Sequence, residues 1–577
     1  MFIIVLTIAL AVTIEAVTLD SVQEFKKIND SFQKVSQKHA SYGKDVSLKE
    51  IIYNEDNTRE LENQLLYTPN ESLKKITHKN FLQDIYQRVN YVPLWFNYQG
   101  IKKEKLFNLF STIKSDPTLE PNGKVNKQRK ALEKAINTTK TRTLKHELSL
   151  ELRLTDLART YLGYHLYGAL NWRAFQNKLS SLRRHKIAAN WVTTKRKYDI
   201  AHLMLNFSFP RLVEMTTPKS FGYPKMIKAL KRLRKAQKQG GWKKIPNSSQ
   251  LRYGRSGNLV KRLTLHLQSE GDYHCVHKGK KYIYDKCVQQ AVKRFQKRHG
   301  LYASGKINKY TIRKLNLSVN WKIKKVVLNL ERIQKLPEQA EDRYVMVNIP
   351  DFRLYYKDNG REKLTMRVVV GDKKHHTPVF SNKISYIVLN PYWLIPDSIV
   401  QKEIIPKMIK NPKYLIERGY EVRKNYALSR PPLDSLKIDW AKILRYKQTK
   451  KYKFVQPPGK KNALGKIKFK FPNQFAVYLH DTPAKKYFKK GVRAFSHGCI
   501  RISQPNAFLK TFAPHEYSVN YRRAQRVLKG KKKTQLNLSQ HVPVHIVYLT
   551  AWIKSDGLLH YRNDIYGYDS KQHRRAY

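Results

Sequence analysis

The sequence predicts a multidomain α+β protein: a helical domain, a small three-helix domain, and a mainly β domain carrying an inserted lobe. Three observations predict it. The 577 residues exceed what one compact core needs, so several domains are expected. Between residues 80 and 316 apolar side chains recur at three-to-four spacing, the period of an amphipathic helix. From residue 343 onward that period gives way to short β-branched and aromatic runs broken by turn residues. Aromatics make up 11% of the chain, with 36 tyrosines and 8 tryptophans, which is enough bulky material for real cores and excludes a mainly disordered chain.

The chain starts with FIIVLTIALAVTI (2–14), thirteen almost unbroken apolar residues. A bilayer span needs about 20. The run therefore reads as the core of a signal peptide cleaved near Ala16, although no Lys or Arg precedes it, and an uncleaved N-terminal anchor fits as well. Either reading (1–16) sends the rest of the chain out of the cytoplasm. Residues 17–79 form a polar, charged lead-in with weak helical patterning.

Residues 80–239 carry helical patterning, clearest in LSLELRLTDLARTYLGYHLYG (148–168), and hold no catalytic constellation. Gly240, Gly241 and Pro246 mark a linker. In 247–318 three short helices follow. Val260, Leu263 and Leu267 share one face, Val288, Val292 and Phe295 a second, and Ile307, Ile312 and Leu315 a third. The opening Arg-x-Gly-x-x-Gly, the stretch AVKRFQKRHGL and the Gly-x-Ile…Thr-Ile turn resemble the peptidoglycan-binding domain 1 family.

Residues 340–577 form the β domain. Strands are expected over 343–349, 353–356, 365–371, 385–390, 466–471, 475–480 and 543–552. The series is interrupted at 397–460 by a Pro-rich, charged segment with helical pieces, and an insertion of that length suggests a functional lid. The basic run RRAQRVLKGKKK (522–533) reads as a solvated helix face.

The chemistry concentrates in YLHDTPAKKYFKKGVRAFSHGCIRI (478–502). His480 ends an alternating strand, and fifteen residues separate it from Ser496-His497-Gly498-Cys499. A thiol is a strong nucleophile only as thiolate, and an imidazole can take its proton. Gly498 permits a sharp turn at the nucleophile, which points backbone N–H groups towards a developing oxyanion. Arg501 lies on the same side as Cys499 in an extended segment, where a guanidinium can grip a carboxylate with both nitrogens. Asp481 is placed either to orient His480 or to cap the turn. His480, His497 and Cys499 lack a fourth ligand at zinc spacing, so no metal is assigned. His274 and His277 flank Cys275, and that pair is not taken as a metal site either. Cys275 and Cys287 are close enough in sequence to pair, or else are two small buried apolar residues.

His480, the fifteen-residue gap and Ser-His-Gly-Cys-Ile-Arg resemble the signature of the L,D-transpeptidase (YkuD) catalytic domain. NIPDFRLYY (348–356), NPYWLIP (390–396), QPPGKKNALGKIKF (456–469) and PVHIVYLTAW (543–552) are similar to its large YcbB-type subfamily. That resemblance implies a helical scaffold domain, a peptidoglycan-binding domain and a catalytic domain with a capping lobe. It implies a Cys499 thioester formed on a tetrapeptide stem with release of D-Ala, then attack by a second stem to give a 3→3 cross-link. His480 is the first choice for general base and His497 the second; Gly498 shapes the turn. Arg501, Ser496, Tyr478 and Trp393 are expected at the substrate. No cofactor is implied.

The partners expected are peptidoglycan stem peptides, other wall-synthesis enzymes, and a membrane only through the N-terminus, giving a periplasmic location with or without inner-membrane anchoring. An L,D-carboxypeptidase and a catalytically silent wall-binding scaffold are the alternatives. The acceptor for the thioester (stem peptide, lipoprotein lysine or water) is left open by the sequence. Lys and Arg outnumber Asp and Glu 113 to 43, a net charge of +70. Such a charge attracts anionic polymers over about 8–10 Å in physiological salt. The basic residues are spread through the whole chain, and wall carboxylates or an anionic membrane surface satisfy them, so no nucleic acid is assigned.

Overall fold

The computed structural model describes residues 48–66, 76–138, 143–276, 281–337 and 342–574. The apolar segment 1–16 and most of the lead-in lie outside the described residues. No described helix is long and apolar enough to cross a membrane. The chain divides into two compact units, one of residues 1–107 with 132–156, the other of 108–131 with 157–577.

The first unit is organised around Glu151, which is fully buried. Its carboxylate accepts from the Tyr86 hydroxyl at 2.7 Å and from the N–H groups of Leu94 (2.6 Å) and Trp95 (2.9 Å). The Pro93-Leu94-Trp95 turn read from the sequence is thus tied down by one acid, which satisfies backbone donors that no helix or strand partner reaches.

The second unit contains both smaller domains. Helices Asn258–Ser269, Lys286–Arg298 and Lys309–Leu315 pack around Val260, Leu263, Val292, Phe295 and Leu315. Asp285 and Asn308 cap the second and third, accepting from Val288 N and Thr311 N. Cys275 and Cys287 are joined as a disulfide with their Cα atoms 6.4 Å apart.

The β domain holds a nine-stranded sheet. Its strands are β1 (Tyr344–Asn348), β2 (Arg353–Asp358), β3 (Arg361–Gly371), β4 (Phe380–Leu389), β5 (Ile467–Lys470), β6 (Leu479–His480), β7 (Ala494–Ser496), β8 (Ile500–Ile502) and β9 (Thr534–Val547). The order is β7-β3-β8-β6-β5-β4-β9-β1-β2, and β2 also pairs with β3, so eight strands close on themselves with β7 alongside. Alternating side chains such as Val345, Val368, Ile387, Phe469, Ile500 and Val544 fill the interior. Strand β1 is buried on both faces: Val345 and Val347 point inward, while Tyr344 and Met346 join a second core with helix Val319–Ile333.

Two expected strands are altered by side-chain hydrogen bonds. The strand at 475–480 shrinks to Leu479–His480 because the Asn473 side chain takes the N–H groups of Phe475 and Val477. That leaves Ala476 at φ 51°, a left-handed conformation costly for a residue with a Cβ. The strand at 543–552 breaks after Val547, where Asn348 and Asn329 capture the N–H groups of Leu549 and Thr550. The chain then forms a separate ribbon, Ala551–Ile553 with Leu559–Tyr561.

Between β4 and β5 the inserted lobe builds its own core from Ile395, Val400, Ile404, Met408, Leu415 and Phe454. It carries a three-stranded sheet of Trp393–Leu394, Lys453–Gln456 and Glu421–Arg423. The basic run 522–533 falls partly in helix Tyr521–Lys529, which buries Ala524 and Leu528 and turns its cations outward.

Candidate active site

Register places the site. Strand β5 pairs with β6, Lys468 opposite His480, and β6 pairs parallel with β8, His480 opposite Arg501. Ile467, Phe469, Leu479, Ile500 and Ile502 point into the barrel. The period of two then sends Lys468, Lys470, Tyr478, His480, Cys499 and Arg501 to the opposite face. Four of the residues singled out in the sequence, Tyr478, His480, Cys499 and Arg501, therefore share one surface on two neighbouring strands.

Cys499 is half-buried, and its Sγ lies 3.8 Å from the Ala476 carbonyl. Burial raises the thiol above its ordinary value. The Tyr478 N–H and hydroxyl and the ammonium groups of Lys468 and Lys470 oppose that rise by favouring the thiolate. His480 is buried, and its Nδ1 sits 2.5 Å from the Asp481 carbonyl. A carbonyl can only accept, so Nδ1 carries the proton and Nε2 is left as the basic nitrogen. Burial first, then Arg501, push this imidazole down to about 3, so it is neutral at physiological pH. The Asp481 carboxylate is engaged elsewhere, accepting from Lys466 N at 2.9 Å and pairing with Lys485. The aspartate thus holds the histidine through its backbone and the turn through its side chain.

The turn at 496–499 is braced from within and from behind. Ser496 Oγ donates to the Cys499 carbonyl at 2.5 Å and accepts from Gly498 N at 3.3 Å, so the serine hydroxyl is committed to the turn. Gly498 has φ 107°, where a Cβ would meet no close atom but would strain the backbone. Its carbonyl accepts from Thr377 Oγ1 at 2.8 Å, and the same oxygen receives the Gly371 N–H at 2.8 Å. A Cβ on Gly371 would stand 1.9 Å from the His375 carbonyl oxygen and 2.6 Å from Thr377 N. Gly371→Ala is therefore expected to lose several kcal/mol of stability, on the order of 3 or more, because the atoms in the way are backbone. Urea unfolding would measure the loss.

Two predicted site residues are engaged by the inserted lobe. His497 is partly exposed; its Nε2 is 2.5 Å from Glu403 of the inserted lobe, and its ring is 4.4 Å from that of His375. Trp393 packs in the lobe, edge-on to Tyr420 at 6.1 Å. Tyr420 in turn lines a cavity of about 580 Å³ with Arg418, Lys460, Lys461, Thr482 and Arg501. This cavity joins the lobe to the face bearing Cys499, and Arg501 is the residue common to both. The Arg501 guanidinium stacks over Tyr487 at 5.9 Å, and burial lowers its affinity for its proton. Sequence reasoning missed Lys468, Lys470, Tyr487 and Glu403. Only the lysines left a signal, since the alternation in KIKFKF (466–471) puts them opposite the apolar face.

Comparison with known proteins gives three family matches. Residues 342–515 match the family described as L,D-transpeptidase catalytic domain (YkuD), residues 80–230 a scaffold domain, and residues 256–315 a "Putative peptidoglycan binding domain". Over 245 residues the chain is 34% identical to a "Putative L,D-transpeptidase" of Haemophilus influenzae, covering 42% of this chain and 48% of that relative. The match thus spans about half the length of the relative. Among solved structures, the chain resembles an L,D-transpeptidase (Yku) from Stackebrandtia nassauensis at 16% identity, with a TM-score of 0.20, covering 51% of this chain and 94% of that one. It also resembles an L,D-transpeptidase from Mycobacterium smegmatis at 12% identity, with a TM-score of 0.17, covering 36% and 58% respectively.

Proposed function

On the premise that residues 342–515 belong to the L,D-transpeptidase (YkuD) catalytic-domain family, we propose that this protein cross-links peptidoglycan stem peptides through a thioester on Cys499. The observation that carries the reading is the half-buried thiol on the same sheet face as a neutral, tautomer-locked imidazole one strand away.

In the first step the Cys499 thiol passes its proton to Nε2 of His480, and the sulfur attacks the carbonyl of the third stem residue. The negative oxygen that forms is held by backbone N–H groups of the turn at Gly498. The imidazolium returns its proton to the departing amine, so D-Ala leaves and a thioester remains. In the second step the side-chain amine of another stem attacks the thioester, loses a proton to His480, and Cys499 is released as thiol. A histidine lowered to about 3 makes a weak base but one that is always in the receiving form at neutral pH. Arg501, with Arg418, Lys460 and Lys461 on the cavity wall, suits the carboxylates of stem peptides. His497, paired with Glu403, serves the contact with the lobe rather than proton transfer. The small helical bundle holds the enzyme on the wall, and its disulfide suits an oxidising compartment outside the cytoplasm.

The test is mass spectrometry of tetrapeptide muropeptides incubated with the full chain. Loss of D-Ala together with new dimers is the expected result. Loss of D-Ala alone makes the protein an L,D-carboxypeptidase, with water resolving the thioester. Unchanged muropeptides that still bind the protein would leave a wall-binding scaffold.

A further inference from the structure

Strand β5 puts a lysine on the face of the thiol, and no carboxylate is among the described groups that act on it. Lys468 lies opposite His480 in the ladder, on the face that carries Cys499. Its Nζ sits 3.9 Å from the centre of the Tyr478 ring, and Lys470 approaches the same ring at 5.5 Å. The β6–β8 register sets Tyr478 beside Cys499, and the Tyr478 hydroxyl and the Lys468 and Lys470 ammonium groups all favour the thiolate. Two further cations, Lys470 and Lys533, act on Lys468, and the negative charge that favours its protonated form is that of Cys499. A half-buried ammonium crowded by other cations is stabilised by a nearby anion. Among the described groups that act on Lys468, the Cys499 thiolate favours its charge.

We propose that Lys468 is a positioning residue that stabilises the Cys499 thiolate, acting across the Tyr478 ring and polarising its hydroxyl towards the sulfur. The inference rests on Cys499 being the nucleophile, and it concerns how that thiol is activated. The cation lies against the π-face of the phenol, drawing electron density from the ring and making its O–H a better donor. The same charge acts directly on the sulfur through a partly dry interior, where it is weakly screened. Both effects favour S⁻ when the thiol ionises, and again when the thioester breaks and the sulfur departs. Burial and Lys470 bring Lys468 down to about 8, so the assistance is complete at neutral pH and fades in mildly alkaline solution.

Alkylation by iodoacetamide tests this without any wall substrate. The thiolate displaces iodide to form a thioether, so the rate reports the thiolate at Cys499. With Cys275 and Cys287 bonded to each other, Cys499 is the free thiol that reacts in the unreduced full chain. Intact-protein mass spectrometry from pH 6 to 10 should show Lys468→Met alkylated roughly tenfold more slowly near pH 7.5, with the difference from wild type shrinking as the pH rises past 8. Lys468→Arg should restore the neutral-pH rate to within about threefold. Circular dichroism checks that the variants are folded. A Lys468→Met profile superimposed on the wild type overturns the proposal. Should that variant fail to fold, Lys468→Arg carries the test alone. Its charge does not titrate, so its rate should keep rising above pH 8 where the wild type flattens, and identical curves overturn the proposal. If alkylation behaves as expected while muropeptides stay unmodified, the transpeptidase reading falls and the thiolate assignment stands.

Discussion

Cys499→Ala is expected to abolish D-Ala release from tetrapeptide stems, a loss of at least about 10⁴-fold, while the protein stays folded. The magnitude follows from the chemistry. Without the sulfur the proposed thioester cannot form, and what remains is uncatalysed attack by water or amine on a bound peptide. The fold is spared because Cys499 is half-exposed on the outer face, so removing the sulfur opens no sealed cavity. Its neighbours in the barrel wall, Ile500 and Ile502, are untouched. The turn survives as well, since Ser496 Oγ and Thr377 Oγ1 bond backbone oxygens of Cys499 and Gly498 rather than the thiol. A thermal melt within a few degrees of wild type, with muropeptides unchanged by mass spectrometry, is the expected pair of results. Residual D-Ala release near the wild-type rate would remove Cys499 from the mechanism.

Glu270→Leu is expected to be among the most destabilising single changes outside the β domain, by roughly 3–5 kcal/mol. Glu270 is buried at the end of the first helix of the small bundle, where it pairs with Arg298, Lys322 and His266. Asp272 pairs with Arg298 as well. Arg298 and Lys322 are both fully buried. Without Glu270, Asp272 alone faces two buried cations. Lys322 belongs to helix Val319–Ile333, so this cluster ties the bundle to the helix that also packs on β1. Urea unfolding compared between wild type and variant measures the effect.

The pH dependence of that cluster has a defined sign. Arg298 and Lys322 hold the Glu270 carboxyl well below its usual 4.5, against a burial effect that alone would raise it. A depressed acid contributes stability that is complete above its unfolded value and is lost as the pH falls through the folded one. Wild type should therefore lose this part of its stability progressively below about pH 4.5. In Glu270→Leu that contribution to the acid dependence is missing.

The fold class was legible because it rests on local periodicity. The three bundle helices announced themselves through apolar spacing, and the structure adds Asp285 and Asn308 as caps on two of them. Strand runs appeared wherever β-branched residues alternate. The reading failed where side-chain hydrogen bonds overrode strand preference. Asn473 closes a loop on a stretch that looked extended, and Asn329 and Asn348 end a strand that looked continuous. Each effect takes only two hydrogen bonds to asparagine side chains, which strand patterning does not reveal.

The amino-acid sequence by itself put Cys499 and Arg501 on one side of their strand, because a strand has a period of two wherever it sits; the β6–β8 pairing then brought Tyr478 and His480 to the same surface. It also determined the turn at Gly498, since φ there is open to glycine at little cost. Only the tertiary structure decided what those groups become. Burial and a neighbouring guanidinium make His480 neutral, and β5 places Lys468 over the Tyr478 ring. The inserted lobe claims His497 through Glu403. Charge and proton affinity depend on which groups leave water together, and that is settled by strand order and lobe packing rather than by neighbours along the chain.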